Sequence, residues 1–518
     1  MSCVAKKKLL DRYFTALTNK DGKVRLVDLK NIFKDAGFMG SNIKVKSIFD
    51  KIDSIASNEI DFDEFYDILH KDIGLCNNIF EGNLVIKNFK SFQEQIEDIF
   101  NLVKSNDRGK VASYIPELKG VDPNNFSVSV CTVDGQTFSI GDTEEKFCIQ
   151  SMCKPFLYSL ALKEHGKDKV HKHVGREPSG VVFNHLSLND NGLPHNPLIN
   201  SGAIMVASLI KNKVSEADRY KHYTNFLSKL CGGEYIGFNN AIYASEKKTA
   251  DRNFALSYFM REQGAFPKNV DILSALDFYF QACSVNVDTS IMSSMAATLA
   301  NGGKCPLTGK RVLSHDQVTP CLSMMDSCGM YSYSGEWTFL VGVPAKSGVS
   351  GGIFIVVPNL MGICIWSPKL DKHGNSIRGV DFAKNLVKKF HFHRYNSVND
   401  LLKRNNKRDD YNVFKLLNAA ASDDIKTLIE LTSHGVNLDS TDYDSRTALH
   451  LSCAEGSIHT FNYLINRVNE ILPVDRWGNT PLDDAKNNNH TSLVDIYQTL
   501  LSNKKSSKLV IRKEEIKL

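Results

Sequence analysis

The sequence predicts a multidomain protein whose central α/β domain holds an antiparallel β-sheet with a block of helices inserted between its strands. Two alternating runs over residues 126–140 are typical of paired strands. A mainly helical stretch follows over residues 156–330, and short apolar runs return over residues 337–367. The simplest assembly of these elements is one sheet built from both ends of the domain. An all-α module before this domain and helical repeats after it complete the predicted architecture.

The composition excludes several classes of protein. The chain has 518 residues, enough for roughly three domains, and its 42% hydrophobic and 23% charged residues are those of an ordinary globular protein. The net charge of +5 (63 basic minus 58 acidic residues) is too small to indicate nucleic-acid binding. No apolar run approaches the roughly 18 residues of a membrane span. The 12 cysteines show no paired spacing, which favours reduced thiols in an intracellular compartment.

A serine and a lysine three residues apart open a predicted apolar helix. Residues 156–162 form an apolar run that is typical of a helix, and Gly166 is placed to cap its C-terminus. Because proline is tolerated only near the start of a helix, Pro155 places Ser151 in the first turn. Positions three apart share a helical face, so the side chains of Ser151 and Lys154 can meet.

This pair has the chemistry of a serine nucleophile and a lysine base. A serine hydroxyl needs an adjacent base to become a strong nucleophile, and a lysine amine is that base when burial and local positive potential lower its pKa. A helix N-terminus supplies such potential. A chain of this length contains on the order of two Ser-x-x-Lys matches by chance, so the spacing alone does not establish the function. Cys153 is a rival nucleophile, but it faces the side of the helix opposite Ser151 and is interpreted as a small buried apolar residue.

Residues 1–75 are predicted to form helices joined by two loops that resemble EF-hand calcium loops. Oxygen ligands stand at positions 1, 3, 5, 9 and 12 of such a loop. The first loop has Leu17 at position 1, and the second, over residues 53–64, has Ile55 at position 3. Each lost carboxylate weakens a site for a hard cation, so calcium binding is not expected. The segment is interpreted as a degenerate EF-hand-like helical module for packing or assembly.

Turn signals bound the strands of the central domain. After a helical connector over residues 76–110, Asp134–Gly135 stands between two alternating runs and is a strong hairpin signal. Apolar runs at residues 337–344, 351–358 and 361–367, broken by Gly and Pro, predict three further strands. Two strands therefore precede the helical block and three follow it.

Two loops of the central domain are rich in residues that favour irregular backbone. Residues 175–200 contain many Gly, Pro and Asn, and a long irregular segment inside a compact domain is usually functional. Residues 346–352 read Lys-Ser-Gly-Val-Ser-Gly-Gly beside a predicted strand. A strand edge there offers free backbone N–H groups, which is what an oxyanion needs.

The C-terminal region contains a repeat of 33 residues. Thr-Ala-Leu-His-Leu at 447–451 returns in weaker form as Thr-Pro-Leu-Asp-Asp at 480–484, and Ala421 and Ala454 have the same separation. This period and this motif are those of ankyrin repeats. Two or three such units are few for an independent fold, so the block is expected to pack on something else.

These features predict the following organisation along the chain: a degenerate EF-hand-like module over 1–75, a connector over 76–110, the catalytic domain over 111–395, a charged linker over 396–410, ankyrin repeats over 411–502 and a charged flexible tail over 503–518.

The Ser151-x-x-Lys154 pair, combined with Lys346-Ser347-Gly348 on a late strand, resembles the serine β-lactamase and penicillin-binding-protein superfamily. Longer motifs resemble the phosphate-activated glutaminases of animals, densely over residues 110–395. They are Glu-Pro-Ser-Gly at 177–180, Pro-His-Asn-Pro-Leu-Ile-Asn-Ser-Gly-Ala at 194–203, Asp-Arg-Asn at 251–253, Cys-Gly-Met-Tyr at 328–331 and Pro-Ala-Lys-Ser-Gly-Val at 344–349. The flanking EF-hand-like and ankyrin segments match the kidney- and liver-type architecture. The resemblance implies a β-lactamase/DD-peptidase-like core.

The resemblance implies hydrolysis of L-glutamine to L-glutamate and ammonia without a metal or an organic cofactor. Ser151 would attack the side-chain amide with Lys154 as its base. The backbone N–H groups of Ser151 and Val349 would form the oxyanion hole, and Tyr331 would relay a proton to the leaving ammonia. Inorganic phosphate is the implied activator.

The resemblance also implies how the substrate is held. Glu246 would pair with its α-ammonium group, and four neutral side chains would hydrogen-bond its α-carboxylate and amide: Tyr114, Asn200, Asn253 and Tyr279. Ser151, Tyr331 and Val349 would touch the substrate as well. Reading both ends of a zwitterion requires an ionic partner and several neutral donors, and this set supplies them.

Each residue has a structural alternative when it is taken alone. Glu246 stands in Ser-Glu-Lys-Lys, which is typical of a solvated charge run. Asparagines such as Asn200 and Asn253 are typical of loops and helix caps. The tyrosines at 114, 279 and 331 are typical of core aromatic residues whose hydroxyl is hydrogen-bonded. Lys346 is typical of a surface charge. His195 invites a Ser-His triad, which we reject because proline-rich loop residues surround it and the family uses lysine.

The resemblance further implies a homotetramer, and the assembly of tetramers into filaments stays open. It also implies an unknown protein partner for the ankyrin repeats. Residues 186–188 lie in a loop that links site and interface in the family. Kidney-type members have an aromatic residue at the position of Ser187, so this loop resembles the liver type. The resemblance to the family therefore does not imply sensitivity to inhibitors that bind the subunit interface. A mitochondrial location is implied, while a cytoplasmic one stays open because residues 1–10 are a poor match to a transit peptide.

Two rival functions remain on the sequence alone. One is a catalytically silent assembly protein that acts through its helical ends, which the joint presence of Ser151, Lys154, Tyr331 and Glu246 disfavours. The other is a β-lactam hydrolase, which Glu246 and the absence of an export signal disfavour.

Overall fold

The computed structural model describes residues 3–180, 186–395, 412–433, 436–442 and 444–514. By their contacts these residues divide into two compact units, one within Leu29–Ala56 and Asn88–Asn396, the other within Met1–Asp28, Ser57–Lys87 and Ser397–Leu518. The predicted linker over residues 396–410 lies outside the described residues. The domain boundaries given above stay predictions.

Helices outnumber strands along the first 300 residues. In chain order they are α1 Cys3–Leu17, β1 Val24–Arg25, α2 Leu26–Asp35, α3 Lys46–Ser54, β2 Glu59–Ile60, α4 Phe62–Leu69, α5 Ile73–Phe80, α6 Phe89–Lys104, β3 Lys110–Val111, α7 Pro116–Lys119, β4 Ser127–Thr132, β5 Thr137–Gly141, β6 Phe147–Cys148, α8 Lys154–His165, α9 Lys167–Val170, α10 Asn200–Leu209, α11 Glu216–Leu230, β7 Gly237–Phe238, α12 Asn240–Lys248, α13 Asp251–Glu262, α14 Ile272–Cys283, β8 Val285–Val287 and α15 Thr289–Ala300.

The remaining elements complete the central sheet and form the C-terminal helices. They are α16 His315–Cys328, α17 Ser334–Leu340, β9 Ala345–Ser347, β10 Gly352–Val357, β11 Met361–Trp366, β12 Lys369–Leu370, α18 Ile377–Phe390, α19 over residues 412–421, α20 Ile425–Ser433, α21 Ala448–Glu455, α22 Ile458–Leu464, α23 Pro481–Asn487 and α24 Thr491–Glu514.

A five-stranded antiparallel sheet with the order β5-β4-β11-β10-β9 is built from both ends of the larger unit. The predicted hairpin at Asp134–Gly135 joins β4 to β5. Every residue of β4, β10 and β11 is buried, because helix α15 covers one face and helices α6 and α18 lie against the other. A Cβ on Gly362 would lie 2.2 Å from the Ala297 nitrogen, so this glycine lets α15 approach the sheet.

The predicted strand over residues 337–344 is wrong. Residues 334–340 form helix α17 instead, and the fifth strand is β9. A short apolar run does not distinguish a strand from a turn of buried helix. Here Trp337 is 0% exposed whereas Phe339 is 78% exposed, and the Trp337 indole donates to the Val343 carbonyl at 2.8 Å.

Helix α8 lies in the middle of the helical block. Its residues 154–162 are all buried, which is typical of a helix surrounded by protein. Helices α10, α11 and α16 pack against it, and Gly166 ends it with φ 74° as predicted. The segment that carries Ser151 therefore precedes a helix that is enclosed by protein over residues 154–162.

A small three-stranded sheet, with the order β6-β8-β7, was not predicted from the sequence. Its strands have two or three residues each, too few for a recognisable pattern. It fixes the chain just before Ser151, because the Ile149 N–H donates to the Val285 carbonyl at 2.8 Å.

In the smaller unit, the two N-terminal loops meet in a short antiparallel ladder, with Val24 opposite Ile60. Asp61 and Glu64, which occupy calcium-ligand positions in the second loop, form a capping box at the start of α4. Among the described residues, no cluster of three or more His, Cys, Asp or Glu side chains is placed to hold a metal. The EF-hand-like interpretation stays a prediction.

The 33-residue repeat of the C-terminal region is visible in the helix starts. Thr447 and Thr480 are both N-caps, and each forms a capping box with the residue three positions on. Helix α24 extends to Glu514 and so reaches into the predicted flexible tail, because no Gly or Pro in residues 491–514 ends it. Across the described residues, the model contains no helix that is both long enough and apolar enough to cross a membrane.

Candidate active site

Ser151 lies in a short 3₁₀ helix, Gln150–Cys153, that leads directly into α8. The prediction that Ser151 stands in the first turn of the α-helix is therefore off by one turn. The α-helix begins at Lys154 with Pro155 in its first turn, where the missing N–H costs no hydrogen bond. The segment before the proline is free to tighten into 3₁₀ geometry.

Two residues of this region hold backbone conformations that L-amino acids rarely adopt. The φ angle is 48° at Gln150 and 54° at Tyr331. Each such residue costs about 1–3 kcal/mol and persists only where its surroundings fix it, which occurs most often at functional sites. The turns that carry Ser151 and Tyr331 are thus held in strained but defined positions.

The Lys154 side chain is buried among neutral polar groups that three helices supply. It is 1% exposed. Its Nζ donates to Asn200 Oδ1 at 2.6 Å, the Asn200 Nδ2 donates to Asn253 Oδ1 at 3.1 Å, and the Tyr279 hydroxyl donates to Asn200 Oδ1 at 3.4 Å. Helices α8, α10, α13 and α14 therefore bring together four residues that the sequence assigned to one site.

Burial lowers the pKa of the Lys154 ammonium group from 10.5 to about 8. Neutral amides do not offset the cost of removing the cation from water. At a pH near 8 about half of the amine is therefore neutral, which is the form that accepts a proton. No described contact joins Lys154 directly to Ser151, so the pairing of these two side chains stays a prediction.

Tyr331 links Ser151 to a second buried lysine. Burial raises the pKa of the Tyr331 phenol, and the nearby Ser151 side chain acts to lower it. The Lys346 Nζ lies 4.4 Å from the centroid of the Tyr331 ring and donates to the Ser347 carbonyl at 2.8 Å. Lys346 is 0% exposed, so its interpretation as a surface charge is wrong: strand β9 packs this residue against the 3₁₀ helix.

Glu246 accepts two hydrogen bonds on the same carboxylate oxygen. The Tyr114 hydroxyl lies at 2.5 Å from Oε1 and the Gln150 Nε2 at 2.8 Å. Burial raises the pKa of this carboxyl, while both donors act to lower it. The alternative of a solvated charge run applies to Lys247 and Lys248, which are exposed, and not to Glu246.

Tyr114 contributes to this part of the site through its hydroxyl alone, since 48% of the residue is exposed. Burial of the hydroxyl and the neighbouring Glu246 carboxylate raise its pKa, so the phenol stays a hydrogen-bond donor. It was assigned to the substrate carboxylate and amide, but the partners that the structure gives it are Glu246 and Gln150.

The turn after β9 approaches the 3₁₀ helix closely. A Cβ on Gly348 would lie 3.0 Å from the Ile149 carbonyl oxygen and 3.3 Å from Met152 Cγ. The next residue, Val349, packs against a small buried cluster that includes Ile115. The two residues predicted to supply the oxyanion hole, Ser151 and Val349, therefore stand on segments that are packed together.

The structure adds residues that the sequence analysis did not assign to the site. Gln150 is a donor to Glu246, and Glu117 accepts from the hydroxyl of neighbouring Ser245 at 2.9 Å. Cys153 and Cys283 lie with their Sγ atoms 3.7 Å apart in the protein interior. Of these, only Gln150 carries a sequence signal, because it directly precedes Ser151.

Loop residues 186–200 place His195 against Ser187, with Nε2 3.5 Å from Oγ. The backbone carbonyl of His195 accepts from the Glu177 N–H at 3.1 Å. His195 thus connects separate parts of this loop, and none of its described contacts involves Ser151. The part of the predicted loop at residues 181–185 lies outside the described residues.

The five-stranded antiparallel sheet with its inserted helical block is a core of the serine β-lactamase-like class. The glutaminase family model matches residues 109–395, more than half of the chain, and a model of ankyrin repeats (3 copies) matches residues 416–510. The chain belongs to the glutaminase family. It is a glutaminase, an amidohydrolase that acts on the side-chain amide of L-glutamine.

Curated relatives extend this similarity beyond the catalytic region. The chain is 42% identical over 504 residues to the mitochondrial glutaminase liver isoform of Rattus norvegicus, covering 95% of this chain and 84% of that protein. It is 44% identical over 447 residues to a putative glutaminase 3 of Caenorhabditis elegans, covering 85% of this chain and 77% of that one.

Solved structures show the same core. A probable glutaminase, ybaS, is 34% identical with a TM-score of 0.57, over 59% of this chain and 98% of that one. The native form of the protein Mglu is 35% identical with a TM-score of 0.55, over 58% of this chain and 72% of that one.

Proposed function

We propose that this glutaminase hydrolyses L-glutamine to L-glutamate and ammonia through a γ-glutamyl ester on Ser151, with Lys154 as the base. The observation that carries the proposal is the environment of Lys154: a buried amine whose described partner is a neutral amide oxygen and whose pKa falls to about 8. A lysine in such a setting is able to take the serine proton near neutral pH.

The reaction has two stages. The Ser151 Oγ attacks the amide carbon while its proton passes to Lys154, and the carbon–nitrogen bond then breaks. The leaving ammonia takes a proton from the Tyr331 hydroxyl, which recovers one from Lys154. Water attacks the ester with the same residues in reverse, releasing L-glutamate and restoring Ser151. The proximity of the Tyr331 and Ser151 side chains supports the role of Tyr331.

The proposed oxyanion hole consists of the N–H groups of Ser151 and Val349. The close packing of the turn at Gly348 on the 3₁₀ helix supports it. Donors placed where charge develops stabilise the tetrahedral intermediate more than the substrate.

The substrate α-ammonium group would pair with Glu246, whose carboxylate Tyr114 and Gln150 hold in place. Asn200, Asn253 and Tyr279 would bind the α-carboxylate and the amide. In this arrangement Tyr114 orients Glu246, which refines its assigned role as a direct donor to the α-carboxylate or the amide.

The test combines ammonia release with capture of the intermediate. Wild type and Ser151→Ala are assayed with L-glutamine, and hydroxylamine is added to intercept the ester as γ-glutamyl hydroxamate. We expect wild type to form both products and Ser151→Ala to form neither. The control is Ser323→Ala, an exposed serine of α16. Release of ammonia without hydroxamate at saturating hydroxylamine would contradict the ester intermediate. Water would then attack the amide directly.

Phosphate activation, a homotetramer and a mitochondrial location are further parts of the proposal. The liver isoform of Rattus norvegicus is named as mitochondrial, which supports the location. The same assay with phosphate and with equimolar sulfate tests activation, and light scattering in both buffers tests the oligomer. The ankyrin repeats are proposed to bind a protein partner.

The alternative function of a β-lactam hydrolase is tested with a cephalosporin. Hydrolysis of the cephalosporin but not of L-glutamine would favour that alternative.

A further inference from the structure

The loop between β12 and α18 packs against two residues of the proposed site. A Cβ on Gly374 would lie 3.7 Å from Cε2 of Tyr331 and 3.8 Å from Cγ1 of Val349. These are distances of ordinary van der Waals contact. The backbone of this loop therefore stands close to the ring of the proposed proton relay and to the side chain of a proposed oxyanion-hole residue.

Hydrogen bonds fix the shape and the position of this loop. The Asp371 carboxylate accepts from the backbone N–H groups of His373 at 2.8 Å and Asn375 at 3.0 Å. The Asp371 N–H donates to the Asn375 carbonyl at 2.8 Å. Ser376, the N-cap of α18, donates from its hydroxyl to the carbonyl of Ser367, the residue after β11, at 2.7 Å. The central sheet thus supports the loop.

The side chain of Asn375 extends from this loop to the residue before Tyr331. Asn375 is 0% exposed, and its Nδ2 donates to the Met330 carbonyl at 3.4 Å. The partner is a carbonyl oxygen, so the nitrogen of the amide has to face it. The Asn375 Oδ1 accepts no hydrogen bond from the described residues, and an incompletely paired buried amide costs free energy. Stability alone therefore does not account for an asparagine at this position.

The peptide groups on both sides of Tyr331 are held by hydrogen bonds. The Met330 N–H donates to the Ser334 hydroxyl at 3.0 Å, and that hydroxyl donates to the Tyr331 carbonyl at 2.8 Å. The Met330 carbonyl accepts from the Tyr333 N–H at 3.0 Å as well as from Asn375. Tyr331 has a φ angle of 54°, and such a conformation persists only where its surroundings fix it. These contacts supply that support.

We propose that Asn375 is a positioning residue that fixes the backbone at Tyr331 and thereby orients the Tyr331 phenol toward the leaving group of the substrate. The inference rests on the proton-relay role of Tyr331 in the proposed function. Asn375 acts through the Met330 carbonyl. Its loss would leave that carbonyl its bond from Tyr333, so the turn would persist with a less well-defined phenol. A displacement of about 1 Å can lower a rate by about 100-fold.

The test compares two substrates that differ in their need for a proton. The amide nitrogen of L-glutamine has to be protonated as it leaves, whereas the γ-(4-nitrophenyl) ester of L-glutamate releases a stable nitrophenolate anion. For Asn375→Ala and the similarly sized Asn375→Leu, we expect kcat/KM to fall by about 10- to 100-fold with L-glutamine and by less than about twofold with the ester. Since kcat/KM reports formation of the acyl-enzyme, a purely structural role would lower both values by the same factor.

A double-mutant cycle with Tyr331→Phe gives a second readout that uses L-glutamine alone. If Asn375 acts through the phenol, Asn375→Ala should lower the residual kcat/KM of Tyr331→Phe by less than about twofold. Ammonia release at high enzyme concentration measures that residual rate.

The matched control is Asn42→Ala. Asn42 is 7% exposed, and its Nδ2 donates to the Gly135 carbonyl of the β4–β5 hairpin at 2.8 Å. Its loss should lower the melting temperature and leave the ratio of the two kcat/KM values unchanged. Thermal melting monitors the fold of every variant, and either Asn375 variant that folds is sufficient for the test.

The outcomes distinguish this inference from the proposed function. An equal loss with both substrates in the folded Asn375 variants, or no loss with either, would overturn the role of Asn375 while a strongly impaired Tyr331→Phe kept the relay. Wild-type activity of Tyr331→Phe with L-glutamine would instead overturn the relay, and the role of Asn375 would fall with it.

Discussion

The site has an anionic side and a cationic side, and burial acts on them in opposite directions. On the anionic side, burial raises the pKa of Glu246, but two donors on one oxygen oppose that shift. On the cationic side, burial lowers the pKa of Lys154 to about 8, and the partner is a neutral amide. The protein thus partly offsets the cost of burial for the charged carboxylate and does not offset it for the charged amine.

This difference fits the two tasks that we propose for Glu246 and Lys154. A group that pairs with a substrate cation has to stay ionised, whereas a group that accepts a proton has to be available uncharged. The distinguishing feature is the number and kind of hydrogen-bond partners, since both groups lose water. The predictions that follow disturb one side at a time.

The largest effect is expected from Lys154→Met, which keeps the apolar stem and removes the amine. We expect kcat to fall by about 10²- to 10⁴-fold, the range of general base catalysis. Ammonia release at pH 8 measures it, with Lys384→Met as the control. Retention of more than a tenth of the activity would show that another group takes the serine proton.

Glu246→Gln should have the next largest effect, and it should appear in KM. Removing one partner of a buried charge pair costs about 2–5 kcal/mol, so we expect kcat/KM to fall by about 100-fold with a smaller change in kcat. The matched control is Glu216→Gln, an exposed residue in the first turn of α11. A fall in kcat at unchanged KM would place Glu246 in the chemical step instead.

The pH dependence of kcat/KM for the wild type should show the titration of both Lys154 and Glu246. In the proposed mechanism Lys154 is the neutral base, so kcat/KM should fall tenfold per pH unit as the pH drops below about 8. Glu246 is proposed to act in its ionised form and its pKa lies above the ordinary 4.5, so the slope should double at still lower pH. Initial rates at constant ionic strength measure the profile, and a flat profile between pH 6 and 8 would contradict it.

The smallest effect is expected from Tyr114→Phe, which removes one of the two donors to Glu246. The carboxyl should then titrate at a higher pH, and kcat/KM at neutral pH should fall by about 3- to 10-fold. The acid limb of Lys154 near pH 8 should not move. Tyr235→Phe, a tyrosine that is 85% exposed, is the control, and a shifted Lys154 limb in Tyr114→Phe would show that the two sides are coupled.

Local signals predicted much of the fold. The Asp134–Gly135 turn, the Gly166 cap and the 33-residue spacing of Thr447 and Thr480 depend on a few neighbouring residues, and the structure agrees with each. The strand predicted over residues 337–344 failed because its apolar run lacks a distinguishing period, so only tertiary contacts determine its conformation.

Candidate site residues were named from the sequence where they belong to a motif and were missed where their role depends on burial. The spacing of Ser151 and Lys154 points to them, and their catalytic roles stay predictions. The burial of Lys346 follows from the packing of β9, and the contact of Gln150 with Glu246 joins residues 96 positions apart. Neither can be read from local sequence, because side-chain environment is set by distant segments.

The left-handed backbone at Gln150 and Tyr331 has a consequence for attempts to engineer this enzyme. Glycine adopts such a conformation at little cost, so Gln150→Gly should relieve strain and raise the melting temperature. The same change removes the amide that steadies Glu246. A screen for heat resistance and a screen for turnover would therefore select different residues at position 150, which makes this position a local trade-off between durability and catalysis.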